Sequence, residues 1–383
     1  MDRVLVKATN WVRVRGRSLT KSFLAISNHA NFLGGGEHSF IELLSYLRPP
    51  WNPVAVVPEH GKVAARIEAG GIGLRIIPLP PIRPWNVFRI IKSVSSHAHL
   101  AKEVDAQLIY ANGSRAAFYG GLAARMSRRP LIWHCRIGER DIYLDPIITR
   151  LSDFIIANSN FTALRFKKEL TTKVKVIHNG VDLEWLREEG VERPVSISKD
   201  WKLILMVARV SRGKHHDLAV AAFEQIASSD SAAHLVFVGA QDPMNSEWYR
   251  ELQMISRRSA FRDRIHWIGH VEDVRSWYRA AYVLLLAAEN EAFGRVLVEA
   301  MACGVPVVAV RSGGAPEIVR DGRDGLLVPK AEAVGIANAI MKIIKDNALR
   351  SRFSESARER AEYFQVTKYV QGVMRVFEET LIH

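Results

Sequence analysis

The chain has 383 residues, of which 48% are hydrophobic and 24% are charged. This composition is ordinary for a globular protein and excludes wholesale disorder, while the length exceeds what one core usually organises, so we expect two domains. Residues 1–190 hold 27 Lys and Arg against 16 Asp and Glu, an excess of +11, whereas residues 191–383 hold 26 against 24, an excess of +2. The first half therefore predicts an anionic partner, such as a membrane surface, an acidic polymer or nucleic acid.

The first half of the chain alternates short apolar runs with segments of helical period. A basic leader occupies residues 1–21, and a domain is predicted over residues 22–186. Seven β-rich runs in this domain predict strands at residues 22–28, 53–57, 74–79, 107–112, 130–135, 153–159 and 174–179. Strands separated by helices indicate a parallel sheet that is covered on both faces.

The second half repeats this pattern after a charged linker at residues 187–200. Its domain, residues 201–365, has predicted strands at residues 202–208, 234–240, 264–269, 282–288, 305–310 and 324–329. The fold class is therefore α/β, with two doubly wound Rossmann-like domains. Ligands of such sheets bind beyond the carboxyl ends of the strands, so we expect the two domains to face each other across a cleft. Residues 366–383 have apolar positions at helical period and predict a helix that packs back on the N-terminal domain.

Membrane-spanning and disulfide-rich classes do not fit this sequence. The longest apolar run, residues 280–288, is far shorter than the roughly 20 residues that a membrane-spanning helix needs. Cys135 and Cys303 are the two cysteines, too few for a disulfide framework or a four-cysteine zinc site. We therefore expect a cytoplasmic protein. Its basic first half could attach it peripherally to anionic lipid at the inner face of the membrane.

The most informative segment lies in the second domain, at residues 287–319. Phe293 and Gly294 open a predicted helix, and the N–H groups of Arg295 and Val296 would form an anion site at its N-terminus. Gly294 permits the close approach of a ligand. A phosphate group fits this position.

Two carboxylates flank this predicted anion site. Glu291 lies in the turn before the helix, and Glu299 lies within it. Carboxylates accept strong hydrogen bonds from sugar hydroxyls, so the pair suits the two ends of a nucleotide sugar. A solvated surface position is the alternative for Glu299.

Two cations follow the first strand of the second domain. Arg209 and Lys214 are separated by a loop that contains Gly213, so both can converge on one anion above the strand end. They are candidates for binding a diphosphate. Taken alone the spacing is weak, because such cations are often simply solvated.

These motifs together resemble a known family. The run ENEAFGRVLVE resembles the E-x7-E signature of the retaining, two-domain GT-B glycosyltransferases of family 4 (glycosyl transferases group 1), and Arg209 with Lys214 matches its R-x4-K pair. FLGGGEHSFIELLSYL in the first domain is similar to the family's glycine-rich turn and first helix. The departures are local: Ala287-Ala288 stand where many members have Pro-Ser, and Ala292 where Gly is commoner.

The resemblance implies roles for the residues at matching positions. Arg209 and Lys214 would hold the donor diphosphate, Glu291 the hydroxyls of the donor sugar, and Glu299 the ribose. The backbone at Phe293, Gly294, Arg295 and Val296 would complete the donor site. Gly34 and Gly35 would form a first-domain loop that closes over the phosphates. His134, at the end of a predicted strand, would lie near the donor sugar and acceptor, with a structural histidine as the alternative.

Other reactive side chains do not combine into a site. His134 and Cys135 are neighbours on a predicted strand and point to opposite faces, which excludes a Cys-His dyad. His215, His216 and Cys303 lack further ligands at metal spacing. We expect no cofactor and no catalytic metal, and a UDP- or GDP-sugar as co-substrate.

Residues 80–94 combine Trp85, Phe88, Ile90 and Ile91 with Arg83, Arg89 and Lys92. We expect the apolar face of this segment to be buried in the domain core, with seating on anionic lipid as the alternative.

The sequence thus predicts a metal-independent glycosyltransferase of the hexosyltransferase type. It would move a sugar to a saccharide or lipid-linked acceptor, in the synthesis of a cell-surface polysaccharide or glycolipid. One alternative is an epimerase or hydrolase of nucleotide sugars with the same fold. The other is a nucleic-acid-binding protein, although no zinc-finger spacing or RNA-binding motif is present, so we expect no nucleic-acid partner.

Overall fold

A computed structural model describes residues 20–166, 172–194, 197–242 and 245–382. All but the last two residues of the predicted leader, and parts of the predicted linker, lie outside these ranges. The described chain divides into two compact units, the first within residues 20–180 together with 366–382 and the second within residues 181–365.

The first unit is built on a parallel sheet of seven strands in the order β3-β2-β1-β4-β5-β6-β7. The strands are β1 Lys21–Ser27, β2 Trp51–Val57, β3 Gly73–Ile76, β4 Ile109–Asn112, β5 Leu131–Cys135, β6 Phe154–Ala157 and β7 Val174–Val176. Its helices are α1 Gly35–Tyr46, α2 Lys62–Ala69, α3 Val87–Glu103, α4 Ser114–Ser127, α5 Leu144–Leu151, α6 Asn160–Ala163 and the C-terminal α15 Val366–Ile382.

Each face of this sheet packs against a hydrophobic core. Successive strand residues point to opposite sides, so neighbours along a strand belong to different cores. Phe23 belongs to the core on one side and its neighbour Leu24 to the core on the other. Helix α15 contributes to the first of these cores, where the rings of Phe377 and Phe23 lie 5.0 Å apart. The last helix of the chain therefore completes the fold of the first unit.

The second unit contains a parallel sheet of six strands in the order β10-β9-β8-β11-β12-β13. The strands are β8 Lys202–Val207, β9 Ala233–Val238, β10 Ile265–Gly269, β11 Ala281–Leu286, β12 Val307–Val310 and β13 Gly325–Val328. Its helices are α7 Leu183–Arg187, α8 His216–Ala227, α9 Ser246–Arg258, α10 Arg275–Ala280, α11 Arg295–Ala302, α12 Ala315–Ile318, α13 Ala333–Lys345 and α14 Asn347–Ala361. The predicted α/β class with two Rossmann-like domains is confirmed.

One prediction about burial is right only in part. Of the apolar side chains expected in the core of the first domain, Ile90 packs against it. Trp85, Phe88 and Ile91 were expected there too, but they are 73%, 83% and 55% exposed. Helix α3 instead buries the stripe that contains Val94 and Ala98. Positions 85 and 88 lie on a different face from that stripe, and Ile91 lies at its border one turn before Val94; among the described residues all three side chains stay exposed.

Candidate functional site

The carboxyl edge of the second sheet collects the predicted donor-binding residues. Strand β8 lies beside β11, and β11 lies beside β12, all parallel, so the loops that follow them meet at one edge. Lys214 ends a 3-10 turn after β8, and Glu291 lies in the loop after β11. Their side chains form an ion pair between Nζ and Oε2, although 77 residues separate them. Both are partly exposed and so accessible to a ligand.

Arg209 lies at the same edge but beside a different carboxylate. Its Nε is 3.7 Å from Oδ2 of Asp242, which is buried in the loop after β9. The Arg209 side chain is 42% exposed, so its guanidinium remains largely in solvent. Both predicted cations therefore lie in the loop that follows β8 and keep accessible positive charge.

The backbone at Glu291 is held by the loop that follows β12. Gly314 donates a backbone hydrogen bond of 2.8 Å to the carbonyl of Glu291, and Ser312 Oγ accepts one of 3.0 Å from the N–H of Asn290. Gly313 has φ +60, and a Cβ there would lie 2.2 Å from the Glu291 carbonyl oxygen. Only glycine fits this contact without displacement. The sequence analysis assigned no role to this loop. The feature that could have indicated one is the Ser-Gly-Gly run directly after an apolar strand.

Helix α11 begins as predicted next to these loops. Gly294 adopts φ +99 before the first helical residue, Arg295. The first N–H groups of an α-helix have no acceptor within the helix, and the helix dipole adds partial positive charge there. Phe293, predicted at the donor site, is only 2% exposed and packs edge-on against Phe364 at 5.7 Å. It therefore anchors the turn rather than presenting a surface.

Glu299 is partly buried and already held at both carboxylate oxygens. Tyr278 Oη donates a hydrogen bond of 2.7 Å to Oε2, and Arg295 Nε lies 3.3 Å from Oε1. Burial, together with the negative charge of Glu299, raises the pKa of Tyr278, so this hydroxyl stays protonated and remains a donor. The sequence placed Glu299 correctly in helix α11. It did not indicate Tyr278, which lies on another helix and carries no motif.

In the first unit, the glycine-rich turn leads into helix α1. Gly34 is extended and donates its N–H to Oε2 of Glu37 at 3.1 Å, while His29 Nδ1 lies 2.8 Å from Oε1 of the same carboxylate. Burial of Glu37 opposes ionisation, but the hydrogen bond and charge of His29 lower its pKa overall. Gly35 is the first helical residue. Gly34 and Gly35 are thus placed at the carboxyl edge of the first sheet by a buried carboxylate.

The structure corrects the expectation for His134. This residue lies inside strand β5 and is completely buried, with Nδ1 joined to Tyr110 Oη by a hydrogen bond of 2.7 Å. Burial, reinforced by the charge of Arg136, holds its pKa well below the usual value. A neutral ring without accessible surface cannot touch a donor sugar in this conformation. The predicted strand ended at Cys135, as β5 does, so the strand was placed correctly while the His134 ring proved to be buried in the core.

Arg136 is the cation that sequence reasoning missed in this region. Its guanidinium donates to neutral groups: to Asn112 Oδ1 at 2.6 Å, to Asn179 Oδ1, and to Tyr369 Oη at 2.9 Å. Its side chain also lies against Gly36 at the start of helix α1. The first unit therefore holds a positive charge with neutral hydrogen-bond partners beside the glycine-rich turn. The feature that could have indicated Arg136 is its position directly after the buried strand β5.

The described ranges contain neither a cluster of metal ligands nor a helix that could span a membrane. There, no three His, Cys, Asp or Glu side chains come together in a way that could hold a metal ion. Cys135 is buried, and its burial raises the pKa of the thiol to about 11. Within the same ranges, no helix combines the length and apolar character that crossing a membrane requires.

Comparison with known families assigns both units. Residues 33–185 match Glycosyltransferase Family 4, and residues 189–360 match Glycosyl transferases group 1. Together the two matches cover most of the chain. The chain is thus composed of a Glycosyltransferase Family 4 domain followed by a Glycosyl transferases group 1 domain.

Curated relatives are similar at modest identity. N-acetyl-alpha-D-glucosaminyl L-malate synthase of Bacillus anthracis is 28% identical over 61% of this chain and 60% of its own length. The uncharacterized glycosyltransferase MJ1178 of Methanocaldococcus jannaschii is 30% identical over 62% of each. A D-inositol 3-phosphate glycosyltransferase of Thermobifida fusca is 28% identical over 63% of this chain and 59% of its own. The chain thus spans about 60% of the length of these relatives.

Solved structures share the fold over nearly the whole chain. Anabaena Alr3699/HepE, solved with UDP and glucose, has a TM-score of 0.79 at 23% identity and covers 93% of this chain and 99% of its own. A glycosyltransferase from Rickettsia africae ESF-5 has a TM-score of 0.82 at 19% identity, with 94% and 99% covered. These likenesses establish the two-domain GT-B architecture.

Proposed function

We propose that this chain, with its two glycosyltransferase domains, is a retaining hexosyltransferase that moves a sugar from a UDP- or GDP-sugar to an acceptor hydroxyl. The observation that carries the proposal is the Lys214–Glu291 ion pair at the carboxyl edge of the second sheet, beside the N-terminus of helix α11. An exposed cation, an accessible carboxylate and a helix N-terminus supply what a sugar diphosphate requires.

Donor binding would rearrange the ion pair. Lys214 would exchange Glu291 for a phosphate oxygen, and the carboxylate of Glu291 would then be released to accept hydrogen bonds from the sugar. Arg209, partly exposed after the same strand as Lys214, would hold the other phosphate. The ion pair keeps both side chains in place before the donor arrives, which reduces the entropy that binding must overcome.

The nucleoside end would be bound by Glu299 from helix α11. Tyr278 and Arg295 fix this carboxylate from two sides, so its orientation is set without a ligand. Contacts to a ribose are made in ground and transition states alike, so Glu299 would contribute to affinity more than to rate. The backbone at Gly294, Arg295 and Val296 would face the diphosphate.

The reaction would retain the configuration of the transferred sugar. The bond between the anomeric carbon and the β-phosphate oxygen breaks, and a bond from that carbon to the acceptor oxygen forms on the same face. The departing phosphate oxygen takes the acceptor proton, so no protein nucleophile is required. Lys214, Arg209 and the α11 terminus would stabilise the charge that develops on the diphosphate, which is also why we propose that no metal is needed.

The acceptor would be a saccharide or a lipid-linked saccharide for a surface polysaccharide or glycolipid. The basic excess of the first half favours an anionic acceptor or an anionic surface around it. Arg136, whose guanidinium donates hydrogen bonds to the neutral groups of Asn112 and Tyr369, supplies positive charge at the edge of the first sheet.

The test is product analysis by nuclear magnetic resonance. The protein would be incubated with UDP- and GDP-hexoses and with saccharide acceptors, and the anomeric configuration of each product determined. A glycoside with the donor's configuration is expected. An inverted glycoside would overturn retention, while an epimerised nucleotide sugar or free sugar without any glycoside would overturn transfer and support the epimerase or hydrolase alternative.

A further inference from the structure

An exposed apolar surface lies where helix α3 begins. We name it the aromatic surface: Ile82, Trp85, Phe88 and Ile91, which are 39%, 73%, 83% and 55% exposed. These residues lie in and around the 3-10 turn Pro84–Asn86 and the first two turns of the helix. Large apolar side chains that cluster on a surface mark a place where another apolar phase or molecule binds.

The aromatic surface is rigidly mounted on the first unit. Three side chains donate hydrogen bonds to carbonyls of the proline-rich segment just before it: Asn86 to Pro81 at 2.9 Å, Ser93 to Pro78 at 2.6 Å and Tyr119 to Pro80 at 2.6 Å. Asn86 and Ser93 are themselves buried. The exposed rings are therefore displayed by a fixed scaffold, so their exposure is built into the fold of the unit.

The chain segment that carries this surface has basic side chains and no acidic ones. Residues 69–102 contain five Lys and Arg and no Asp or Glu. Arg83, Arg89 and Lys92 are all exposed, and the Arg83 guanidinium lies 5.4 Å from the centre of the Trp85 ring. Apolar side chains ringed by cations are complementary to an anionic interface with an apolar interior.

A groove continues from the aromatic surface along the same helix. It has a volume of about 460 Å³ and lies between strand β3 and helix α3. Arg75, Lys92, Ser95 and His99 line it, with Glu103 at its far end. Phe88, Lys92, Ser95 and His99 share one helical face, because their spacing follows the helical repeat. The groove thus places cations and hydroxyls next to the exposed rings.

We propose that the aromatic surface and this basic groove seat the first unit on a membrane of anionic phospholipid. Trp85, Phe88 and the two isoleucines enter the headgroup and acyl boundary, and the groove receives a headgroup phosphate. The aliphatic members favour lipid over nucleic acid, since bases stack on aromatic rings but gain nothing comparable from isoleucine. The inference rests on this surface alone and is independent of the proposed reaction.

Vesicle sedimentation of the full chain tests it, with pure phosphatidylcholine compared with phosphatidylcholine that contains phosphatidylglycerol. We expect the wild type to pellet with the anionic vesicles and to be released by salt, which screens exposed charges. Changing Arg83, Arg89 and Lys92 to Gln should lower partitioning on the order of 100-fold, since each cation near an anionic membrane contributes roughly fivefold. Changing Trp85 and Phe88 to Ser should also release the protein.

Matched variants control for net charge and for general loss of apolar surface. Arg257, Arg258 and Arg323 changed to Gln remove the same charge from exposed positions of the second unit. Leu164 and Val334, which are 81% and 58% exposed, are changed to Ser. Both controls should bind as the wild type does. Equal pelleting with neutral vesicles, no pelleting, or equal losses in the controls would overturn the proposal, as would binding to RNA without binding to vesicles. No donor or acceptor enters the assay, so its outcome is separate from that of the proposed function.

Discussion

Lys214 and Glu291 show how two residues of opposite charge can prepare a site for an anion. Their ion pair is partly exposed, so it contributes little to stability, because solvent screens such pairs. Its value under our proposal is positional, since the pair holds an ammonium and a carboxylate ready to separate around a sugar diphosphate.

Loss of either cation at this edge should impair transfer. We predict that Lys214→Ala and Arg209→Ala each lower kcat/KM for transfer on the order of 10²-fold or more, as expected when a partner of a developing oxyanion is lost. Lys330→Ala is the matched control, because Lys330 is exposed elsewhere in the same unit. Steady-state kinetics measures the effect, and near wild-type rates in both variants with intact folding would refute the diphosphate assignment.

Residue positions were predictable only where the end of a strand determined them. Arg209, Lys214 and Glu291 follow strands, and the structure places each at the carboxyl edge. His134 looked equivalent in the sequence, but it lies within β5, where Tyr110 and Tyr369 pack against its ring and bury it. The partners of Glu299 could not be predicted, because Tyr278 comes from a different helix and only the folded chain brings it near.

Buried histidines make stability depend on pH. His216 is completely buried between Phe237 and Trp267, and burial lowers its pKa to about 3. In the unfolded chain a histidine titrates near 6.5, so the unfolded state binds more protons as pH falls below that value. Folding stability should therefore decrease from pH 6.5 downward, by about 2 kcal/mol at pH 5 for this one group.

A leucine at this position would remove that dependence. We predict that His216→Leu shows a smaller drop in melting temperature between neutral pH and about pH 5 than the wild type. His60→Leu, at an exposed histidine, should leave the drop unchanged. His97 and His234, whose pKa values burial lowers to about 4, preserve part of the dependence in both variants. An unchanged drop in His216→Leu would contradict this explanation.

At the scale of elements, the site is assembled by loops that follow neighbouring parallel strands. Apolar runs of β-rich residues predicted all thirteen strands. Central strands such as β4 and β6 are apolar because they are buried along their whole length, whereas the edge strands β3 and β7 are partly exposed. The surface of helix α3 was not predictable in the same way. Its sequence has apolar residues on two faces, and only the packed neighbours decide that Val94 is buried while Phe88 is exposed.

The loop after β12 offers a test of this assembly. We predict that Gly313→Ala destabilises the chain by about 1–3 kcal/mol and weakens donor binding, because the left-handed backbone is strained for alanine and the new Cβ displaces the Glu291 carbonyl. Gly73→Ala is the control, since nothing lies within 4 Å of its Cβ position. Thermal unfolding and donor titration measure both effects, and a Gly313→Ala protein that binds donor like the wild type would show that the contact is unimportant.

At the scale of the whole molecule, the chain combines two domains of one architecture with different electrostatic character. The basic excess lies in the first half, where the structure also shows the aromatic surface. The second unit carries the proposed donor site on its own cations. Because those cations and a helix terminus already supply positive charge, a metal ion is not required for the chemistry that we propose.

Treatment with a chelator tests that independence. We predict that transfer in EDTA proceeds at the rate measured without it. A glycosyltransferase that is known to use Mn²⁺, assayed in the same buffer, confirms that the chelator is effective. Activity that EDTA abolishes and Mg²⁺ or Mn²⁺ restores would overturn the metal-free mechanism.

Calorimetry of donor binding tests whether this chain binds a sugar nucleotide through Lys214. UDP-, GDP- and ADP-hexoses would be titrated into the wild type, Lys214→Ala and the control Lys330→Ala. We expect the wild type and the control to bind a UDP- or GDP-sugar equally. Lys214→Ala should bind it much more weakly, because the Lys214 ammonium contacts the diphosphate. No binding of any sugar nucleotide to the wild type, or equal affinity in Lys214→Ala, would contradict it.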